Sequence, residues 1–148
     1  MKQTMTAKAT LLDKGLQVEC ESRGFKILLD EPKELGGSNE GMNPVEAFLC
    51  AFGACQSIVA KSFARLQNFS FEEFWIEMEG DLDPDGFMGK NPDVRNGFSE
   101  VRYKLHFKTQ ESQEKADAFA QFMSDQCPVG DNLEHGVPMI RTKVVIEK

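Results

Sequence analysis

Two of the four cysteines, Cys55 and Cys127, lie on surfaces that the sequence predicts to be apolar and helical. Cys55 falls within the uncharged stretch 47–60, and Cys127 ends an apolar stripe and is followed at once by Pro-Val-Gly. A thiolate is a strong nucleophile, and a second thiol nearby can capture its oxidised form as a disulfide. The pattern therefore favours a paired-thiol site. Simple burial is the alternative, because free cysteine is among the most buried residue types.

The other two cysteines, Cys20 and Cys50, are interpreted as core residues. On a helix, Cys50 points about 140° away from Cys55, so we do not expect these two to pair. The successive separations of 30, 5 and 72 residues fit no zinc-binding spacing, and the glycines at 36, 37 and 41 lack the strand-loop-helix context of a phosphate loop. We expect no metal and no bound organic cofactor.

The apolar periodicity predicts an α+β fold with antiparallel sheets. Two-residue alternation predicts strands at 6–12, 16–21, 25–29, 74–79, 101–108 and 140–147, with a turn at Arg23-Gly24. Helical spacing predicts helices at 44–66 and 112–126, the second stopped by Pro128. Residues 31–41 and 81–97 are predicted to be loops, and the longer one is of a length that often has a functional role.

The first helix carries a clear start signal. Asn43 is suited to cap it, Pro44 to occupy its first position, and Glu46 to reach back as in a capping box. One face of this helix is predicted to be apolar and to include Cys55; its members are Phe48, Ala51, Phe52, Cys55, Val59 and Ser62.

Length and charge limit the class of protein. A chain of 148 residues suits one domain, here 1–148, near the size at which a partner subunit often completes the core. Seventeen basic and 24 acidic residues give a net charge of −7, which argues against binding to nucleic acid or anionic membranes. No signal segment or stretch of membrane-spanning length is evident, so we expect a cytoplasmic protein whose cysteines stay mainly reduced.

Four ordered motifs resemble one known family. They are Pro32-Lys-Glu-Leu-Gly-Gly, Gly41-Met-Asn-Pro44, the apolar helix ending Phe52-Gly-Ala-Cys55, and Cys127-Pro-Val, with Arg95-Asn-Gly-Phe98 as a further likeness. Their order and spacing are similar to those of the osmotically inducible protein C and organic hydroperoxide resistance (OsmC/Ohr) family, specifically its OsmC-like branch.

The resemblance implies a fold, a reaction and partners. The implied fold packs antiparallel sheets around a long central helix in an intertwined homodimer. The implied reaction is reduction of an organic hydroperoxide, in which Cys55 becomes a sulfenic acid and Cys127 captures it as a disulfide. An external dithiol then reduces that disulfide. Phenylalanines beside Cys55 suit an organic hydroperoxide better than hydrogen peroxide.

Two other functions stay open at the sequence level. The family's active peroxidases carry a glutamate directly after Asn-Pro and an arginine in the first hairpin, whereas this chain has Val45 and the segment Asp13-Lys14-Gly15 there. Lys14 and Arg23 are the cations considered as substitutes. A binder of hydrophobic ligands without catalysis would fit these departures. A redox sensor whose disulfide changes a contact with a partner protein is the other possibility.

Overall fold

The computed structural model describes all residues, 1–148. They form two compact units, 1–51 and 52–148, and the boundary between the units falls within the first long helix. The strands and helices, in chain order, are β1 (Lys8–Leu11), β2 (Val18–Ser22), β3 (Phe25–Leu29), α1 (Pro44–Phe63), β4 (Glu73–Asp81), α2 (Pro84–Phe87), β5 (Glu100–Lys108), α3 (Gln113–Gln126) and α4 (Pro128–His135). A short 3-10 helix, Lys33–Leu35, lies in the loop before α1. The predicted α+β class with small antiparallel sheets is confirmed.

The first unit contains an antiparallel meander in the order β1-β2-β3. Cys20 lies at its centre, opposite Ala9 on one side and Ile27 on the other. The predicted turn is present at Arg23 and Gly24, which both have positive φ (52° and 86°), as a tight hairpin between twisted strands requires. The register follows the apolar alternation of the sequence, but β3 is exposed along four of its five residues in this single chain.

The loop that leads from the meander to α1 is folded around one carboxylate. Asp30 is 1% exposed, and its oxygens accept hydrogen bonds from the backbone N–H groups of Glu31 (2.7 Å), Ser38 (3.2 Å) and Glu40 (3.1 Å). Gly37 is required there, because a Cβ would lie 1.9 Å from the Glu31 carbonyl oxygen. Charged hydrogen bonds and close backbone contacts therefore order the segment that the sequence shows only as a loop.

Helix α1 begins as predicted, with a capping box. The Asn43 N–H donates to Glu46 Oε2 (2.8 Å), and the Glu46 N–H donates to Asn43 Oδ1 (2.9 Å). The helix ends at Phe63, three residues before the predicted end. By length and composition it could also cross a membrane, although core helices of other proteins meet the same criterion.

The buried face of α1 differs from the predicted one. The buried residues are Phe52, Gly53, Gln56, Val59 and Ala60. At about 100° per residue, the centre of this face lies about 90° from the predicted one, so Cys55 is at its edge. Ile58, on the other side, is 66% exposed.

The core of the second unit is aromatic. The hairpin of β4 and β5 pairs Phe74 with Phe107, and Phe69 stacks on Phe119 with ring centroids 4.7 Å apart. Val59, Ala60 and Met123 complete the buried cluster. Helix α3 has Ser112 as its cap and ends at Gln126, as predicted.

The structure corrects the sequence prediction at two places. Pro128 stops α3 but also begins α4, a helix that the sequence analysis did not predict. The predicted strand at 140–147 is wrong for this chain, because residues 136–148 form no strand. A strand needs a neighbouring strand to satisfy the hydrogen bonds of its backbone groups, and this segment has none.

In the predicted loop 81–97, Asp83 caps the short helix α2.

The Asp30 carboxylate gives a prediction about acid stability. Burial by itself would raise the pKa of Asp30, but the hydrogen bonds from the Glu31, Glu40 and Ser38 amides outweigh it and lower the pKa. A lowered folded-state pKa contributes stability above the unfolded-state value of about 3.9, and this contribution is lost as the pH falls through the folded-state pKa. We expect Asp30→Asn to lower the Tm at neutral pH and the deficit to shrink in acid.

Thermal unfolding followed by circular dichroism from about pH 3 to about pH 7 measures this difference. The matched control is Asp13→Asn, which changes an exposed carboxylate. A deficit for Asp30→Asn that is independent of pH would contradict the prediction.

Candidate active site

Cys127 occupies the junction between α3 and α4. It is the C-cap residue of α3 and the N-cap residue of α4, and it is 1% exposed. The Gly130 N–H donates to its Sγ at 3.3 Å, so sulfur takes the place that a hydroxyl or carboxylate oxygen usually has at a helix start. Pro128 suits the first helical position because that N–H would have no partner in the helix.

Cys55, on α1, lies near the N-terminus of α4. It is partly buried, and the Val129 N–H and the Cys127 thiol are among the groups close enough to shift the pKa of its thiol. The structure thus brings together the two cysteines that the sequence analysis singled out, although they are 72 residues apart. Their sulfurs share the first turn of α4, where backbone N–H groups and the helix dipole favour negative charge.

The electrostatic balance at Cys55 is against the thiolate. Burial is the largest influence and raises the pKa of the Cys55 thiol, the Cys127 thiol raises it further, and the Val129 N–H lowers it. The net pKa lies above the usual value for cysteine. The favourable group is therefore a backbone amide, and no charged side chain is among the groups that shift this pKa.

Lys14, Arg23 and Glu46 interact with groups other than the two thiols. Lys14 Nζ is 2.5 Å from Glu40 Oε1, and the Arg23 guanidinium lies over the Phe25 ring. Glu46 is held in the capping box of α1. Cys20 is partly buried, whereas Cys50 is exposed, contrary to its interpretation as a core residue.

A small cavity lies beside the thiol pair. Its volume is about 100 Å³, and its lining includes Phe52, Gln56, Tyr103 and Gly130. A Cβ added to Gly130 would lie 3.4 Å from both Cys127 Sγ and the Phe52 ring, so this lining residue of the cavity is also a neighbour of Cys127. Gln56 was missed by the sequence analysis. Its only signal there is a long polar side chain in an otherwise apolar stretch.

No group of three or more histidine, cysteine, aspartate or glutamate side chains is arranged to hold a metal ion. Each histidine instead has one carboxylate partner. His106 Nε2 lies 2.7 Å from Glu77 Oε2, and His135 Nδ1 lies 3.0 Å from Asp131 Oδ1.

Comparison with known proteins identifies the family. A sequence model of OsmC-like proteins matches residues 37–141, which include both thiols and the whole of α1. The chain belongs to the OsmC-like family. The resemblance seen in the four sequence motifs is thereby confirmed.

Individual relatives agree with this family. A hydroperoxide reductase of Mycoplasma genitalium is 25% identical over 140 residues, which cover 92% of this chain and 91% of that protein. The crystal structure of an OsmC-like protein of Mycoplasma pneumoniae has the same fold, with a TM-score of 0.80 and 21% identity over 91% of this chain and 90% of that one. An organic hydroperoxide resistance protein OsmC from Legionella pneumophila superimposes with a TM-score of 0.68 and 26% identity, over 90% and 91% of the two chains.

The contact between the thiols predicts how Cys55 responds to loss of Cys127. Because the Cys127 thiol raises the pKa of Cys55, we expect Cys127→Ala to lower that pKa and to accelerate alkylation of Cys55 near neutral pH. In the unchanged protein, alkylation should reach half its maximal rate above the free-cysteine pKa of about 8.5. Iodoacetamide labelling from about pH 6 to about pH 10, with mass spectrometry of the Cys55 peptide, measures both.

Cys50→Ala is the control, since that thiol is exposed on the same helix. It should leave the Cys55 profile unchanged. An unchanged Cys55 profile in Cys127→Ala would show that the two thiols do not interact in solution.

Proposed function

We propose that this protein is a thiol-dependent peroxidase that reduces organic hydroperoxides. The observation that carries the proposal is that Cys55 and Cys127 are near enough to influence each other, beside the first turn of α4. The hydroperoxide-related names of relatives from Mycoplasma genitalium and Legionella pneumophila support a role of this type.

The proposed reaction has three balanced steps. The Cys55 thiolate attacks the terminal oxygen of the hydroperoxide, the O–O bond breaks, and the departing alkoxide takes a proton to give the alcohol. Cys127 sulfur then attacks the Cys55 sulfenic acid; the S–S bond forms, the S–O bond breaks, and water leaves with the Cys127 proton. An external dithiol finally reduces the disulfide through a mixed disulfide and is itself oxidised.

The two cysteines have different roles for physical reasons. Cys55 is the more accessible thiol and lies at the edge of the buried face of α1, so a substrate reaches it first. Cys127 is buried beside it, which suits a group that waits to capture the sulfenic acid. Negative charge that develops on either sulfur is met by the N–H groups of Val129 and Gly130.

The raised pKa of Cys55 sets the pH dependence of the proposed activity. A thiol with a pKa above about 8.5 is at most a few per cent thiolate at pH 7, although such a thiolate is intrinsically more nucleophilic. The initial rate should therefore rise from neutral pH into the alkaline range. A group contributed by a second subunit is the remaining source of positive charge.

The proposal includes a homodimer. Several apolar side chains are exposed in the single chain; they are Phe25 (70%), Ile27 (57%), Ile58 (66%), Ile140 (83%), Val144 (80%) and Ile146 (82%). In the proposed dimer, a second copy of the chain covers such side chains. The C-terminal residues also keep the alternation of a strand, which could form on an unpaired sheet edge of a second copy.

The proposed location is the cytoplasm, where thiol reductants would return the disulfide to the dithiol form. The proposed partners are a second copy, the hydroperoxide and the dithiol.

A binder of hydrophobic ligands without catalysis is the second candidate. The raised pKa of Cys55 favours it, because a thiol that stays protonated reacts slowly. A binder of this kind would retain an apolar ligand on purification and would not consume peroxide.

Substitution of each thiol tests the peroxidase. We expect Cys55→Ser to abolish consumption of tert-butyl hydroperoxide in the presence of dithiothreitol, because serine cannot form the sulfenic acid. Cys127→Ser, assayed without reductant, should consume one equivalent per subunit and accumulate a dimedone-reactive sulfenic acid. Peroxide loss is measured by ferrous-xylenol orange and the adduct by mass spectrometry.

Cys50→Ser is the matched control and should keep the parent rate, because Cys50 is exposed on another face of α1. Parent-like turnover by Cys55→Ser would refute the assignment of the nucleophile. Absence of turnover in the unchanged protein would favour the ligand binder.

The dimer has its own test. Light scattering during gel filtration should give twice the chain mass of 16.6 kDa. Ile58→Asp, which places a charge on the exposed apolar face of α1, should shift the protein to the monomer, whereas the control Ile58→Val should not. A monomeric unchanged protein would exclude the dimer.

A further inference from the structure

A cleft of about 430 Å³ lies at the C-terminal end of α1. Its walls come from this helix end, from the segment that leads into β4, and from Glu111, which precedes α3. Asn68 turns the chain there with a positive φ of 52°, a conformation that asparagine adopts more readily than most residues. The volume is within the range of small-molecule pockets. The proposed peroxidase reaction uses none of the lining residues.

Two cationic side chains of the cleft have no counter-charge. Lys61 and Arg65 both line it and are four residues apart, which is about one helical turn. Both are exposed, and neither side chain forms an ion pair or a hydrogen bond within the chain. An anion that enters the cleft would therefore meet two unpaired positive charges, in a protein whose net charge is −7.

The one carboxylate among the lining residues, Glu111, already has partners. Its Oε1 accepts hydrogen bonds from the N–H (3.3 Å) and the hydroxyl group (3.2 Å) of Ser70. Its Oε2 lies 2.6 Å from Lys115 Nζ. Lys115 thus balances the charge of Glu111, and the charges of Lys61 and Arg65 remain available to a ligand.

The position at the end of α1 limits the kind of anion. The helix dipole places partial negative charge there, which favours lysine and arginine but disfavours a highly charged ligand. The carbonyl oxygens of Phe63, Ala64 and Arg65 each accept a backbone hydrogen bond of 2.9 to 3.2 Å, so they do not need the two cations as partners. A singly charged carboxylate suits this place better than a phosphate dianion, which binds favourably at helix N-termini.

The remaining surface of the cleft includes apolar and aromatic side chains. Ala64, Phe69 and Phe71 contribute to the lining, and the centroids of the two rings are 6.4 Å apart. Phe69 is buried in the aromatic core, whereas Phe71 is only partly buried. Such a surface suits the apolar body of a ligand, and the planar fork of Arg65 matches the geometry of a carboxylate.

We propose that this cleft binds a small aromatic carboxylate. Lys61 and Arg65 bind the carboxylate group, and Phe71 with the exposed edge of the core contacts the ring. The site is separate from the two thiols, because no cysteine lines the cleft and Lys61 is six residues beyond Cys55, about 9 Å along the helix axis. The inference therefore goes beyond the proposed peroxidase function and does not rest on it.

Binding of 2-naphthoate to the unchanged protein tests the site. In an NMR titration, the backbone amide signals of Asn68 and Ser70 should shift and saturate. The neutral analogue 2-naphthamide has the same shape and should bind about tenfold more weakly, because it lacks the charge. Acetate has the charge without the ring and should also bind more weakly. Equal affinities for 2-naphthoate and 2-naphthamide would overturn the proposal, as would shifts confined to other parts of the chain.

Substitution of the two cations locates the binding energy. We expect Arg65→Gln and Lys61→Gln each to weaken binding of 2-naphthoate about tenfold and to leave the weaker binding of 2-naphthamide unchanged. Both positions are exposed, so the fold should be kept.

Lys90→Gln is the matched control, because it removes an exposed, unpaired lysine outside the cleft and changes the net charge by the same amount. It should keep the parent affinity for 2-naphthoate. Parent affinity in both cleft variants, or an equal loss in Lys90→Gln, contradicts the proposal. The readout is binding alone, so the result does not depend on whether the protein consumes peroxide.

Discussion

The withdrawal of the Cys55 thiol from water is the constraint on which the site depends. Burial beside a second sulfur works against ionisation, and no charged side chain contributes to the pKa shift. Any chemistry at this thiol therefore relies on dipoles that the fold fixes in place. The Val129 N–H is the dipole that lowers the pKa of Cys55, and it has its position because α4 begins at Pro128.

The rest of the second unit holds the two helix segments that form this contact. The aromatic cluster fixes α1 against α3, with Phe69 stacked on Phe119 and Phe63 edge-on to Phe122. Phe52, one turn before Cys55, packs edge-on against Tyr103 of β5 at 5.0 Å. Since interiors of this kind are close-packed and resist deformation, the aromatic core holds in place the helices that carry the two sulfurs.

The sequence predicted much of this arrangement, and its failures have physical causes. Strand alternation up to residue 108, the Asn43 and Glu46 capping box and the helical spacing over 112–126 are local signals, and the structure confirms the elements they mark. The apolar helical settings of Cys55 and Cys127 suggested a pair and the family resemblance strengthened that prediction, because no local pattern joins residues so far apart. The sequence does not predict helix α4, because Pro128 indicates the end of α3. Proline also suits the first position of a helix, and here it begins α4.

The missed features depend on tertiary contacts. The buried face of α1 is shifted toward Gln56 by packing against the aromatic core, whereas the sequence pattern placed Cys55 at its centre. The predicted strand near the C-terminus has its alternation but no neighbour in the single chain. Such a pattern indicates which side chains of a strand would lie on its apolar face. Only another strand can supply the hydrogen bonds of its backbone.

The sulfur cap of α4 couples helix structure to oxidation state. Cys127 Sγ is at once the acceptor for the Gly130 N–H and the atom that would join a disulfide. In a disulfide, the bond to the partner sulfur fixes the orientation of this atom. Bond formation would thus weaken the cap and release the N–H of the first turn, so that α4 would fray in the oxidised protein. Fraying would open the covering over the disulfide at the stage when a reductant has to reach it.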